Sequence, residues 1–396
     1  MRSPVIRWIL AAAIAVGAGA QTFVVDAAGG PGSDFTSLAI AVATVPSGAV
    51  LDVRPGSYAS FSLSGKALTV LGGAGVQVDE GSLIQSLQPG QAVTLHGLRF
   101  RTSSTGVTWG LQLSGCDGPV TLVDCDWDLM PVVAFSVQPG LSATSARQLI
   151  VKGGTCLWAL LSSSSAVFED VDLHGYDAVD QGGVMRFATP GLTMRNGTRV
   201  QLRGGTVTGG AEAVGGVFVT AAAPGVTMTN PGLVQSLRLM GPATIAAGTA
   251  SLGPSPPAIE ADGAVRIDPQ VVLQTAASQP IQGGTVTSVP MPEVASADAA
   301  PGGVLAATCG GPAGTPAILL FGLPGPAFEL PGLQGELWAS LATPIEMLAL
   351  GPAPIGAALT VPNAAIFRGL RVAWHAITFD PVHGVETSNP SVALVR

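Results

Sequence analysis

One six-residue phrase recurs through the first half of this chain: Leu95-His-Gly-Leu-Arg-Phe100, Leu122-Val-Asp-Cys-Asp-Trp127, Val151-Lys-Gly-Gly-Thr-Cys156, Phe168-Glu-Asp-Val-Asp-Leu173 and Leu202-Arg-Gly-Gly-Thr-Val207. Positions one, four and six are mostly apolar, whereas three and five are Gly, Asp, Thr or Arg. With Val70-Leu71-Gly72-Gly73 as a partial first copy, the phrases start 25, 27, 29, 17 and 34 residues apart. A β-propeller blade needs four strands in roughly 40 to 50 residues, and a leucine-rich repeat needs its Leu and Asn ladder. Neither pattern is present. One short strand per turn, stacked on the last at about 4.8 Å, predicts a parallel β-helix.

Composition sets the setting for that solenoid. The 396 residues carry 47% hydrophobic and only 11% charged side chains, with Lys at positions 66 and 152 alone, so the surface is built from Ser, Thr, Gln and Gly. Residues 1–20 read as a signal peptide: Arg2 and Arg7 precede the apolar run Trp8 to Val16, and Gly17-Ala-Gly-Ala20 offers a cleavage site. The run is short for a bilayer span, and no later segment reads as one. Loss of Arg2 and Arg7 leaves a net charge of about −10, which argues against nucleic acid as a partner. The expected localisation is secreted, extracellular or at the cell surface, with the periplasm as the alternative.

In an oxidising compartment, proximity favours a Cys116–Cys125 disulfide, although the four cysteines allow three complete pairings. The competing reading makes Cys125 and Cys156 small inward-facing hydrophobes. No Cys/His spacing suits zinc.

After the leader, Phe23-Val-Val-Asp26 is followed by Leu38, Ala41, Val42 and Val45 at helical spacing, with Thr36 as candidate N-cap and Gly48 beyond the end. Next comes Gly48-Ala-Val-Leu-Asp-Val-Arg-Pro-Gly-Ser-Tyr58. A strand, a capping helix and a strand ending in Arg-Pro-Gly-Ser-Tyr resemble the opening of the pectin-lyase-like superfamily, over residues 22–285. The resemblance implies an all-β fold, a right-handed parallel β-helix with an N-terminal capping helix over residues 21–289. Leu237-Arg-Leu-Met240 and Ala264-Val-Arg-Ile267 read as further turns. From Pro290, short apolar strands between Pro/Gly turns predict a small antiparallel β-sandwich over residues 290–396, able to close the far end of the solenoid. Its ending, Phe367-Arg-Gly-Leu-Arg-Val-Ala-Trp-His-Ala-Ile-Thr-Phe-Asp380, resembles a module on secreted proteins of planctomycete-like bacteria.

The superfamily includes polysaccharide lyases and hydrolases, so the carboxylates need testing as catalysts. Asp124 and Asp126 follow at period two, which places them on one face of a strand about 6.6 Å apart, with Asp170 and Asp172 matching them in a later turn. Such pairs suit acid and base across a glycosidic bond, with His174 or Arg186 completing a site. Register argues against a joint site, because the turn carrying Gly153 and Thr155 lies between them. Two turns span about 9.6 Å, too far for four carboxylates to share one calcium ion. Arg99 beside Asp126 and Lys152 beside Glu169 instead suggest a solvated charge ladder. The Asn-Thr-Asp, Gly-His-Gly and Arg-Ile-Lys phrases of polygalacturonases are absent. Trp109 and Trp158 are candidate sugar platforms, while Trp127 falls at an inward position.

The leading expectation is a secreted, non-catalytic β-helix binding a polysaccharide or cell-envelope component. A divergent polysaccharide lyase or glycoside hydrolase is the alternative, and a purely structural surface protein the third. No metal or resident cofactor is called for; calcium enters only with the enzyme.

Overall fold

The computed structural model describes residues 21–79, 81–101, 109–128, 138–181, 184–215, 218–229, 233–341 and 343–396; residues 1–20, where the sequence pattern predicts a signal peptide, lie outside them. The solenoid is a parallel β-helix with three faces. An eleven-stranded sheet runs from Thr22–Val25 to Thr285–Ser288, and a nine-stranded sheet from Ser62–Ser64 to Ile281–Gln282. The third face is a four-stranded sheet ending at Asp126–Asp128 and a five-stranded sheet beginning at Thr155–Leu157. Within each of these sheets every strand pairs in parallel with its counterpart in the neighbouring coil; on the third face the ladder is interrupted between Asp126–Asp128 and Thr155–Leu157.

The recurring phrase is therefore not one strand, as the sequence pattern suggests, but a corner between two. Its first two residues end a strand of the eleven-stranded sheet, and its last two lie in the third face. Position three turns the chain in the left-handed region: Gly97 has φ 64°, Asp124 48°, Gly153 64°, Asp170 54° and Gly204 62°. Gly reaches that region without penalty and Asp tolerates it, which explains the residue choice there. The corner also shifts the inward alternation by one residue, so positions one and four both face inward despite their odd spacing. Leu95, Leu98, Phe100, Leu122, Cys125 and Trp127 are each no more than 2% exposed, and Trp127 stacks on Phe100 at 5.4 Å between centroids.

The capping helix spans Leu38–Thr44, with Leu38, Ala41 and Val42 buried in the solenoid core. Its N-cap is Ser37, whose Oγ accepts from the Ile40 N–H at 3.4 Å, rather than Thr36. The turns read at Leu237 and Ala264 are strands Ser236–Met240 and Ala264–Ile267 of the eleven-stranded sheet. No helix among the described residues is long and apolar enough to cross a membrane.

After the last strand of the eleven-stranded sheet, Thr285–Ser288, the chain forms mainly antiparallel sheets, with Leu333–Gln334 alone pairing in parallel, on Gly384–Thr387, among the described strands. One joins Glu293–Ala297, Val304–Gly310 and Ile355–Thr360; a second is built around Arg371–Asp380 and Pro316–Gly322; and Pro324–Phe328 pairs with Leu337–Ala339. Leu305 and Cys309 from the first meet Leu319 and Trp374 from the second in a shared core. This module does not close the far end of the solenoid. It lies along the outer face of the eleven-stranded sheet, where Ile150 and Val167 pack against Trp338, Ala373 and Val392, and Val50 and Leu71 pack against Leu394. Full burial of an Ile or Val is worth about 2 kcal/mol each, which favours the flank because apolar side chains point outward there. The last coil is left exposed, including all four residues of Thr285–Ser288.

Candidate functional site

The four aspartates of the sequence reading do not form a common site. Asp124 and Asp126 do not share a strand face, because Asp124 occupies the left-handed corner and Asp126 opens the next strand. Asp126 Oδ1 accepts from both the backbone N–H and the hydroxyl of Thr155, each at 3.0 Å. Asp172 repeats this arrangement with Thr206, at 3.0 Å from its N–H and 2.6 Å from its hydroxyl. Each carboxylate thus caps the opening of the following coil. Asp170 pairs with Arg203 at 2.8 Å. As the register predicts, Lys152 stands between Val123 and Glu169 along the ladder, separating the two aspartate pairs by an intervening coil.

His174 Nδ1 lies 2.7 Å from the Thr208 hydroxyl in the neighbouring coil. Arg186 is buried, donates from Nε and Nη2 to the Asp177 carbonyl at 3.1 and 2.9 Å, and sits over the Tyr176 ring. Desolvation lowers its pKa. Trp158 sits at a corner with φ 46°, packs on the solenoid core and donates from Nε1 to Thr193 Oγ1 at 3.0 Å. Trp109 is half-buried, and its carbonyl accepts from the Gly81 N–H. Acid, base and aromatic platform are therefore distributed over separate structural tasks.

The Cys116–Cys125 bridge is not formed. All four cysteines are free and buried. Cys116 ends a strand of the nine-stranded sheet, whereas Cys125 follows the corner on another face, and both point into the core. Burial raises the Cys116 thiol and pushes Cys125 and Cys309 up to about 12.

The supposed solvated ladder is also different from expectation. Glu169 is 1% exposed beneath the C-terminal module, with Lys152 beside it in register and the Arg203 guanidinium 3.7 Å away. Burial raises its pKa against the opposing pull of Lys152, Ser391 and Arg203. Further along, Arg199 bonds Glu329 and Glu336, and Arg266 bonds the buried Glu386. These are docking contacts between solenoid and module. Sequence alone missed them because outward positions of this sheet look solvent-facing until another layer covers them.

His96, Asp124 and Asp298 bring ligand atoms within 4.8 Å of one another. Arg396 Nη2 already spans both carboxylates, at 3.3 Å from Asp124 and 2.9 Å from Asp298, and Lys152 Nζ is 3.8 Å from Asp298. Two side-chain cations therefore supply the positive charge, and two carboxylates with one imidazole are few ligands for calcium.

The nine-stranded sheet offers a different kind of site. Gln85, Ser114, Thr144, Ser162, Arg195 and Thr229 fall in one row, each paired in register with the next. Thr144 and Arg195 are exposed and the others half-buried. Five coil spacings make a polar row of about 24 Å. The row escaped the sequence reading because its members lie in the strands least marked by the phrase. Their signal was alternation, as in Leu111-Gln-Leu-Ser114. No family model matches this chain, and neither the curated proteins nor the solved structures contain a significant match.

Proposed function

We propose that this is a secreted, non-catalytic β-helix protein that binds an extended glycan or cell-envelope polymer along its nine-stranded face. The observation carrying the reading is the in-register row from Gln85 to Thr229. Hydroxyl, amide and guanidinium groups repeating at one coil spacing suit a repetitive, hydroxyl-rich polymer, which can satisfy them in series. The structural employment of Asp126, Asp172 and His174 weighs against turnover. Kinship with pectin-lyase-like proteins and a planctomycete-type C-terminal module belong to the same proposal, on the motifs that suggested them. The module's part in it is to brace the eleven-stranded face.

The test is a soluble-glycan panel on residues 21–396, recording binding and product release with calcium and with chelator. The reading expects binding without turnover, weakened at least tenfold by the double substitution Thr144→Lys and Ser162→Lys. Product release abolished by Asp172→Asn would overturn it in favour of a lyase or hydrolase.

A further inference from the structure

A cavity of about 420 Å³ opens where the module meets the early coils of the eleven-stranded sheet. Leu68, Thr69 and Pro119 line it from the solenoid, and Phe367, Arg368 and Arg371 from the module. Its size lies within the range of small-molecule sites, which combine apolar walls with a few placed polar groups. The two arginines differ in a decisive way. Arg368 is neutralised by Asp52, with Nη1 3.2 Å from the carboxylate. Arg371 has no carboxylate partner among the described residues, and its side chain makes one hydrogen bond, from Nη1 to Thr121 Oγ1 at 3.3 Å. Desolvation alone draws its pKa down to about 10.

Arg371 is half-buried, and a guanidinium whose one hydrogen bond goes to a neutral hydroxyl is better satisfied when an anion completes it. Among the described residues the other cations of the docking surface have a carboxylate beside them: Arg199, Arg203, Arg266, Arg368 and Arg396 at hydrogen-bond distance, Lys152 at 3.8 Å and Arg238 at 3.9 Å. The Nε–Nη2 edge of Arg371 makes no hydrogen bond among the described residues, and that planar pair of donors matches the two oxygens of a carboxylate.

We infer that this cavity binds a small carboxylic acid with an apolar body, the carboxylate pairing with Arg371 and the body lying against Pro119, Ile366 and Phe367. The inference is independent of the glycan-binding row, which lies on another face, so either can fail alone.

Calorimetric titration of residues 21–396 with benzoate and with its uncharged isostere benzamide tests it. Benzoate is expected to bind one to one, and benzamide at least tenfold more weakly. Arg371→Met is expected to reduce benzoate affinity at least tenfold while the melting temperature holds or rises, since it removes an uncompensated charge. Ala92→Leu, which narrows the cavity without changing its charge, is expected to weaken benzoate similarly. Absence of benzoate binding, equal affinity for benzamide, or unchanged affinity in either variant overturns the inference. The comparison of benzoate with benzamide uses the unaltered protein and stands even if a variant fails to fold.

Discussion

The Ser391 hydroxyl lies 2.7 and 2.8 Å from the two carboxylate oxygens of Glu169, 222 residues away in the chain. Proton donors run in one direction: Lys152 Nζ donates to Ser296, the Ser296 hydroxyl to Ser391, and Ser391 to Glu169. Two strands of the solenoid and two strands of the module are thereby joined through one relay.

That relay gives the first expected outcome. Glu169→Ala should cost about 2–3 kcal/mol and Ser391→Ala about 1 kcal/mol, because each removal strands a desolvated partner. The double variant should cost less than their sum, with a coupling on the order of 1 kcal/mol in denaturant titrations. Glu169→Gln should be milder than Glu169→Ala at pH 7, since burial already disfavours the ionised carboxyl. Purely additive costs would show that the relay does not couple the two parts.

His375 predicts a pH dependence. The Trp338 N–H donates to its Nε2 at 3.0 Å, and burial takes its pKa from 6.5 to about 4. The folded state holds the ring neutral while the unfolded chain takes up a proton below pH 6.5. Stability should therefore fall as pH drops from about 6.5 to about 4, by about 3 kcal/mol at most, and this contribution should level off below. Denaturation midpoints of the wild type and His375→Gln should diverge across that window; parallel curves would refute the assignment.

The corner geometry predicts which aspartates tolerate change. Asp170→Val places a β-branched residue at φ 54° and should cost about 1–2 kcal/mol. Asp124→Gly should relieve backbone strain and lose the Arg396 contact, leaving stability nearly unchanged. Asp126→Ala and Asp172→Ala should each cost about 1 kcal/mol through the lost caps on Thr155 and Thr206. Thermal melts of the four variants check this ordering, and a Val substitution milder than Gly would contradict it.

Free, buried thiols make a further prediction. Native protein should react slowly with a thiol reagent at all four cysteines, and unfolded protein should titrate four thiols without prior reduction. Cys125→Ala should cost about 1–2 kcal/mol through lost packing. A melting temperature lowered by reductant would reveal a bridge.

The inner half of the phrase was open to direct reading. Leu95, Leu122, Phe168 and Leu202 recur because each coil must fill the same interior layer, and local alternation is enough to place them. The helix over Leu38–Thr44 and the late strands at Ser236 and Ala264 followed from equally local patterns. The aspartate pairs are illegible in sequence because period two has the same spacing within one strand as across a corner. A single left-handed residue, Asp124 or Asp170, turns the chain onto another face.

Sequence alone determined that the chain coils into stacked parallel strands, since apolar periodicity and Gly or Asp at the corners are properties of neighbouring residues. Only the tertiary structure decided what the outer faces do. The same position-two chemistry is solvated or buried according to whether another layer covers it, and the segment covering Lys152 and Glu169 lies more than 100 residues downstream. Burial by a distant segment is a three-dimensional relation, and it leaves no period in the sequence.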